Sequence, residues 1–263
     1  HRPLYEISRH GNMNASKAKL GDRISAAFAL FAPLRKAPGC RVLMYHAVGG
    51  EVSGDAQRLY SITPDRFANH VRCLSETFGA DTVTFASGVT AGRGLAITFD
   101  DGYRDNLSVA APLLASAHLP FTVFVTPGFV TDGQSQYLSR AELQELALLP
   151  GVTIGAHGLS HRPLTECDDE ELAGELTGSK AWIEDLLGRP VTSMSYPHGA
   201  VDARVRAAAA TAGYAFAACS RFGTYREGDD PLCVARTDIW AGDDTARLLA
   251  KADGHWDWMG WRE

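Results

Sequence analysis

Residues 95–102, read Leu-Ala-Ile-Thr-Phe-Asp-Asp-Gly, run an apolar segment of strand type straight into two consecutive carboxylates and a glycine. Side chains alternate along a strand, so Ile97 and Phe99 share one face while Ala96 and Thr98 share the other. Where the strand stops, Asp100 and Asp101 must point in different directions. Two acids therefore stand at the mouth of a sheet, each free for a separate task. Gly102 lets the backbone turn tightly there. One acid would suit a solvent-facing helix cap, but a charged pair directly after a buried strand resists burial without a counter-ion. Residues 107–117 follow with an apolar helix pattern, for which Asp105 or Asn106 is the expected N-cap.

Strand and helix signals alternate along most of the chain. Strands are expected at residues 40–46, 82–85, 95–99, 121–125, 152–156, 193–196, 215–218 and 232–235. Helices are expected from Thr63 to about Phe78, at 107–117, at 139–149 behind a Ser139 cap, at about 168–187, at 202–212 and at 245–251. That alternation argues for α/β architecture, a parallel sheet with crossover helices. His46, Asp100, Asp101, His157, Tyr196 and Asp238 all fall at carboxyl ends of strands, where barrels and open α/β sheets place their ligands. Residues 1–38 are polar and mixed, with a helix expected at 15–34, and are taken as an N-terminal helical appendage; residues 39–263 form the main domain with its Trp-rich tail.

The 263 residues carry a net charge of -6 and no long basic run, which argues against a nucleic-acid partner. No segment reaches the length of a membrane span; the best stretch, residues 24–34, is too short. Five cysteines (Cys40, Cys73, Cys167, Cys219, Cys233) are scattered and never spaced as CxxC, so they read as buried thiols and favour a reducing compartment. The cytoplasm is therefore the preferred expectation, with secretion after removal of a signal peptide as the lesser alternative for a chain opening on His1.

The segment His157-Gly158-Leu159-Ser160-His161 sets two imidazoles four residues apart. On a helix they would share a face, and in a tight loop after a strand they can converge as well. Either geometry suits one metal ion, and a carboxylate from the neighbouring strand end would complete a two-His, one-Asp set with a position open for water. With nine histidines present, the pair alone is weak evidence; beside an Asp-Asp strand end it is strong.

TFDDG at residues 98–102 together with HGLSH at 157–161 resembles the first two motifs of the polysaccharide deacetylase family (carbohydrate esterase family four). SYPHG at 195–199 is similar to the third motif of the branch that reads Tyr-Pro-aromatic-Gly. LMYHAV at 43–48 resembles that branch's opening strand, and RTDI at 236–239 a later one. The resemblance implies a distorted (β/α) barrel with about seven parallel strands. It also implies hydrolysis of N-acetyl groups from amino sugars of a polysaccharide, oligosaccharide or glycoconjugate, or from a small amino sugar. By position, Asp101, His157 and His161 would hold a divalent metal, most often Zn2+, with Co2+, Ni2+ or Mn2+ as alternatives. Asp100 would be the general base, a backbone N–H near His198 would help hold the oxyanion, and Tyr196 and Pro197 would face substrate.

Two departures from the family pattern carry expectations of their own. Ser195 stands where an arginine usually orients the base, and Arg236 is expected to supply that charge from another strand. The late-strand histidine that serves as general acid is not clear. His46 is preferred over His255 for that role, as in relatives whose motifs are circularly rearranged, because an imidazole titrates near neutrality and the strand end aims it at the site. Asp238 is expected to bond a catalytic partner. Trp256, Trp258 and Trp261 are expected to pack the C-terminal segment rather than stack on sugars.

Two other readings stay open: an amidohydrolase of a small N-acyl or cyclic amide, and a catalytically inactive sugar-binding relative. A glycosidase using Asp100 and Asp101 as its acid pair is disfavoured, because adjacent residues cannot flank one bond at the separations such enzymes need.

Overall fold

The computed structural model describes residues 39–52 and 54–262. The expected N-terminal appendage and its helix at 15–34 lie outside the described residues.

The chain begins with β1 (Cys40–Tyr45) and passes through a small parallel pair, β2 (Ala47–Val48) and β3 (Ser61–Ile62), into α1 (Pro64–Phe78). There follow β4 (Thr82–Val83), α2 (Phe85–Ala91), β5 (Gly94–Phe99), α3 (Ala111–Ser116), β6 (Phe121–Val125), α4 (Pro127–Thr131) and α5 (Arg140–Leu148). The second half adds β7 (Val152–Ala156), α6 (Asp169–Leu187), β8 (Ser193–Ser195), α7 (Ala203–Thr211), β9 (Phe216–Ala218), β10 (Thr237–Asp238) and α8 (Thr245–Ala252).

The main sheet runs β10-β1-β5-β6-β7-β8-β9, with β4 also on β5, and each pairing is parallel. After β9 the chain returns along it: Val234 bridges Ala218 in parallel, and three residues on, Thr237 pairs with Leu43 of β1. This segment crosses from one edge strand to the other, so the sheet curls into a distorted (β/α) barrel. The strand expected at 232–235 shrinks to that single bridge, because Pro231 has no N–H to give and the Cys233 N–H turns back to the Asp230 carbonyl at 2.9 Å.

The alternation in β5 sorts two apolar layers. Ile97 and Phe99 join the large core between sheet and helices, with Leu43, Tyr45, Val123 and Ile154. Ala96 faces the barrel interior, with Val42, Phe124, Ala218 and Val234. Local signals set the helix ends. Ser139 and Asp168 each close a capping box, with Glu142 and Glu171 respectively, and Thr63 accepts from the Arg66 N–H.

The helix expected at 107–117 differs from its prediction. Residues 106–110 wind as a π-turn ahead of α3, and Asp105 makes no side-chain cap bond. Its Oδ2 instead accepts from the Gly50 N–H at 3.0 Å, and Asn106 Nδ2 donates to the His46 carbonyl at 2.9 Å. Both side chains tie down the loop after β1 rather than start a helix. The five cysteines are free thiols; Cys40, Cys167 and Cys219 are buried, whereas Cys73 and Cys233 are partly exposed. Trp256 is buried and packs edge-on against Trp240 and beside Trp258, as expected for a packed tail; the side chain of Trp261 lies outside the described residues. Among the described residues no helix is long and apolar enough to cross a membrane.

Candidate metal centre

Because the strands are parallel, their carboxyl ends gather at one end of the barrel, and the polar residues singled out above gather with them. Asp100 extends the β5 ladder by one step, its N–H donating to the Tyr45 carbonyl at 3.0 Å. Asp101 then takes a left-handed backbone (φ 72°), followed by Gly102 (φ 75°). A non-glycine residue in that region is strained, and here the strain swings the second carboxylate away from the first.

Asp101 faces the loop after β7. Its Oδ1 lies 3.3 Å from His157 Nε2 and 3.1 Å from His161 Nε2. One ligand atom from each of these three residues lies within 4.8 Å of the others. His157 Nδ1 donates to the Ser195 carbonyl at 2.9 Å, which fixes the tautomer and turns the Nε2 lone pair toward Asp101. Neither imidazole aligns to donate to Asp101 Oδ1, so this buried oxygen has no hydrogen-bond partner. An orphaned carboxylate oxygen between two inward-facing imidazole nitrogens is a costly arrangement for a bare protein and a fitting one for a divalent cation. The donor set suits zinc and other borderline metals alike.

Asp100 is held separately. Arg236 reaches it from just before β10, Nη1 to Oδ1 at 2.8 Å and Nη2 to Oδ2 at 2.7 Å, and both side chains are buried. Ser195 Oγ accepts from Arg236 Nη2 at 2.7 Å and donates to Asp100 Oδ2 at 3.1 Å. Arg236 Nε donates to the Cys219 carbonyl at 3.0 Å, and Nη1 has a longer contact with Thr98 Oγ1 at 3.4 Å. All five donors of the guanidinium are thus engaged, which a buried cation requires. The charge that the third motif lacks at Ser195 arrives from residue 236, and the serine hydroxyl bridges the pair.

Burial alone would raise the Asp100 carboxyl; the Arg236 guanidinium and the His157 imidazole outweigh it and hold the group below the ordinary carboxylate range. Asp101 is likewise pushed up by burial but held well below that range by the charge of His161 and by its contacts with both imidazoles. For His157 burial works downward, and the two aspartates outweigh it, so its value rises.

The other expected site residues divide. His46 follows β1 directly, packs against Tyr60 with tilted rings whose centroids are 4.6 Å apart, and lies close enough for its charge to lower both aspartates. His255 follows α8, where the neighbouring Gly254 lies against Arg41, a residue at the opening end of β1 rather than the end that His46 follows. His198 sits in a left-handed turn (φ 58°) with its ring 4.4 Å from that of His161 and its Nε2 donating to the His161 carbonyl at 3.1 Å. Partial desolvation and the neighbouring His161 charge push it down to about 4, although the residue itself is exposed. Pro197 is buried beside Gly158. The Tyr196 side chain is fully buried, with its hydroxyl donating to the Leu232 carbonyl at 2.8 Å. Asp238 is buried on β10, and its charge helps burial raise the Tyr60 hydroxyl.

Sequence reasoning missed three contributors. Tyr103 packs against Tyr137, and burial together with the nearby Asp101 charge pushes its hydroxyl up. Tyr60 covers His46, and Glu175 binds the backbone of the 157–161 loop. Only Tyr103 carried a signal, its place two residues after Asp101.

The family profile described as polysaccharide deacetylase matches residues 87–217, a stretch that contains Asp100, Asp101, His157, His161 and His198. The chain belongs to the polysaccharide deacetylase family. YxkH of Bacillus subtilis (strain 168), grouped by name with these deacetylases, is 26% identical over 181 residues, covering 66% of this chain and 61% of that protein. Chitin deacetylase 1 of Cryptococcus neoformans var. grubii is 32% identical over 117 residues, covering 44% of this chain and 23% of that protein. The chain thus spans less than two thirds of either relative. Among solved structures, the deacetylase PplD of Streptococcus pyogenes in complex with acetate superimposes with a TM-score of 0.72 at 20% identity, covering 81% of this chain and 98% of that one. IcaB of Ammonifex degensii gives 0.68 at 22% identity, covering 83% and 98%. At these identities the solved structures establish the shared fold. His46, Arg236 and Asp238 fall outside the stretch matched by the polysaccharide deacetylase profile, so their reading rests on geometry alone.

Proposed function

We propose that this chain is a metal-dependent carbohydrate N-deacetylase, with Asp101, His157 and His161 holding one divalent cation, most often Zn2+. The observation that carries this reading is the buried, unpartnered Asp101 Oδ1 between two imidazole Nε2 atoms, beside an aspartate clamped independently by arginine. When bound, such a cation supplies a Lewis acid that acidifies water and polarises an acyl oxygen. Asp100 is the general base. Arg236 keeps it ionised, and the three hydrogen bonds from Arg236 and Ser195 leave Oδ1 with one acceptor site for a proton. The backbone N–H near His198, in its left-handed turn at the rim of the site, is the donor for a developing oxyanion. His46, on the other flank, gives a proton to the departing amine. Asp238 and Pro197 shape the surroundings from buried positions.

The substrate class is an N-acetylated amino sugar in a glycan or a small glycoconjugate, in keeping with a relative named chitin deacetylase. The test is acetate release from N-acetylglucosamine oligomers, an N-acetylgalactosamine polymer and small N-acetyl sugars, before and after treatment with a chelator. Release that stops on chelation and returns with added metal is the expected result. Sugar binding without any release would overturn it in favour of an inactive relative, and release from non-sugar amides alone would favour the small-amide hydrolase.

A further inference from the structure

We infer that Glu175 is a positioning residue for the metal centre, acting through the backbone of the loop that carries both imidazoles; this rests on the metal-dependent reading above. Glu175 lies within α6, remote in sequence from every motif, and is 7% exposed. Its Oε2 accepts from the Leu159 N–H at 2.7 Å and the Ser160 N–H at 3.0 Å, while Oε1 accepts from Ser160 Oγ. One carboxylate therefore takes up two successive amides between His157 and His161. Those amides belong to no helix or strand, and a loop needs such a partner to hold one conformation.

The loop has little other freedom. Gly158 (φ 67°) and His161 (φ 62°) are both left-handed, and a Cβ at position 158 would stand 2.9 Å from Pro197 Cγ and 3.2 Å from Glu175 Oε2. The loop's carbonyls are taken from the other sides: His157 by Thr126 Oγ1 at 2.8 Å, Leu159 by the Gly128 N–H at 2.8 Å, and His161 by His198 Nε2. Glu175 supplies the opposing grip on the N–H side. Without it the backbone can rotate between the two histidines, and the strained His161 has less to hold its ring toward Asp101. An acidic side chain that faces amides rather than a cation is here a hydrogen-bond acceptor first, so its geometry matters more than its charge.

The experiment is a zinc titration of the metal-free full chain against a chromophoric chelator, with the melting temperature of each metal-free variant measured in parallel. Glu175→Leu and Glu175→Asp, the latter withdrawing the carboxylate by one methylene, are expected to weaken zinc binding by about 10–100-fold. Glu175→Gln, which keeps an acceptor for both amides, is expected to stay near wild type, as is the exposed control Glu170→Gln. The inference is overturned if Leu and Asp variants bind zinc like wild type, if their loss only follows a matching loss of the metal-free fold, or if Gln loses as much as Leu. Failure of wild type itself to bind one zinc per chain would sink the metal-dependent reading, and this inference with it.

Discussion

Arg236 grips Asp100 through two near-parallel hydrogen bonds of 2.8 and 2.7 Å although 136 residues separate them in the chain. The barrel makes this contact possible, because Thr237 pairs with Leu43 of β1, and β1 in turn pairs with β5, whose end is Asp100. The pair is wholly desolvated, so each partner depends on the other.

Arg236→Met removes the counter-ion and leaves a buried carboxylate exposed to the full desolvation penalty. Loss of about 3–5 kcal/mol in urea unfolding at neutral pH is expected. Without the guanidinium the Asp100 value rises, so the acid limb of any remaining activity moves to higher pH. Arg236→Lys is expected to rescue little, since an ammonium has three donors and no fork to match five acceptors. Stability equal to wild type in both variants would contradict the pairing.

Asp100→Asn is expected to keep its bound metal and lose turnover by about 10²–10⁴-fold, the usual worth of a positioned general base. Activity assays alongside metal analysis of the same sample check it. Undiminished turnover would remove the assignment of the base.

His46→Ala is expected to lower turnover by about 10²-fold or more, and His255→Ala to leave it near wild type. Loss in the second variant alone would transfer the acid role to the C-terminal segment.

The metal-free protein should show opposed pH effects. The lowered Asp100 and Asp101 values contribute stability that is present above the ordinary carboxylate range and lost as pH falls through their native values. The raised His157 value contributes stability present below the ordinary imidazole pKa and lost as pH rises through its native value. Zinc affinity moves against the histidine effect, because a ligating imidazole must give up its proton, so binding strengthens as pH rises through the His157 value. Calorimetry in buffers of different ionisation heat should register proton release on zinc binding; an uptake of protons would contradict the assignment.

Much of this was legible in the residues. The apolar runs at Phe121–Val125 and Val152–Ala156 match their strands end to end, and Ser139 and the region of Asp168 announced their helices through capping boxes. The helix α2 went unread although Thr84 caps one end and a left-handed Gly92 the other, because its seven residues are too few for a period to show. The Asp105 and Asn106 caps failed because tertiary partners, Gly50 and the His46 carbonyl, claimed those side chains. At the site, a two-His, one-Asp set followed from strand ends and spacing, and the family resemblance pointed to Asp101 as its carboxylate. The Ser195 bridge, the Glu175 grip and the burial of Tyr196 did not, since each depends on which side chain the barrel brings opposite which, information that no local pattern holds.

The most direct measurement is the metal content of purified wild type against His157→Ala, after loading with zinc and removal of loosely bound ions. One ion per chain in the wild type and a near-empty variant with an intact fold is the predicted result. Equal zinc in the two proteins, or none in either, would contradict a cation centre built from Asp101, His157 and His161.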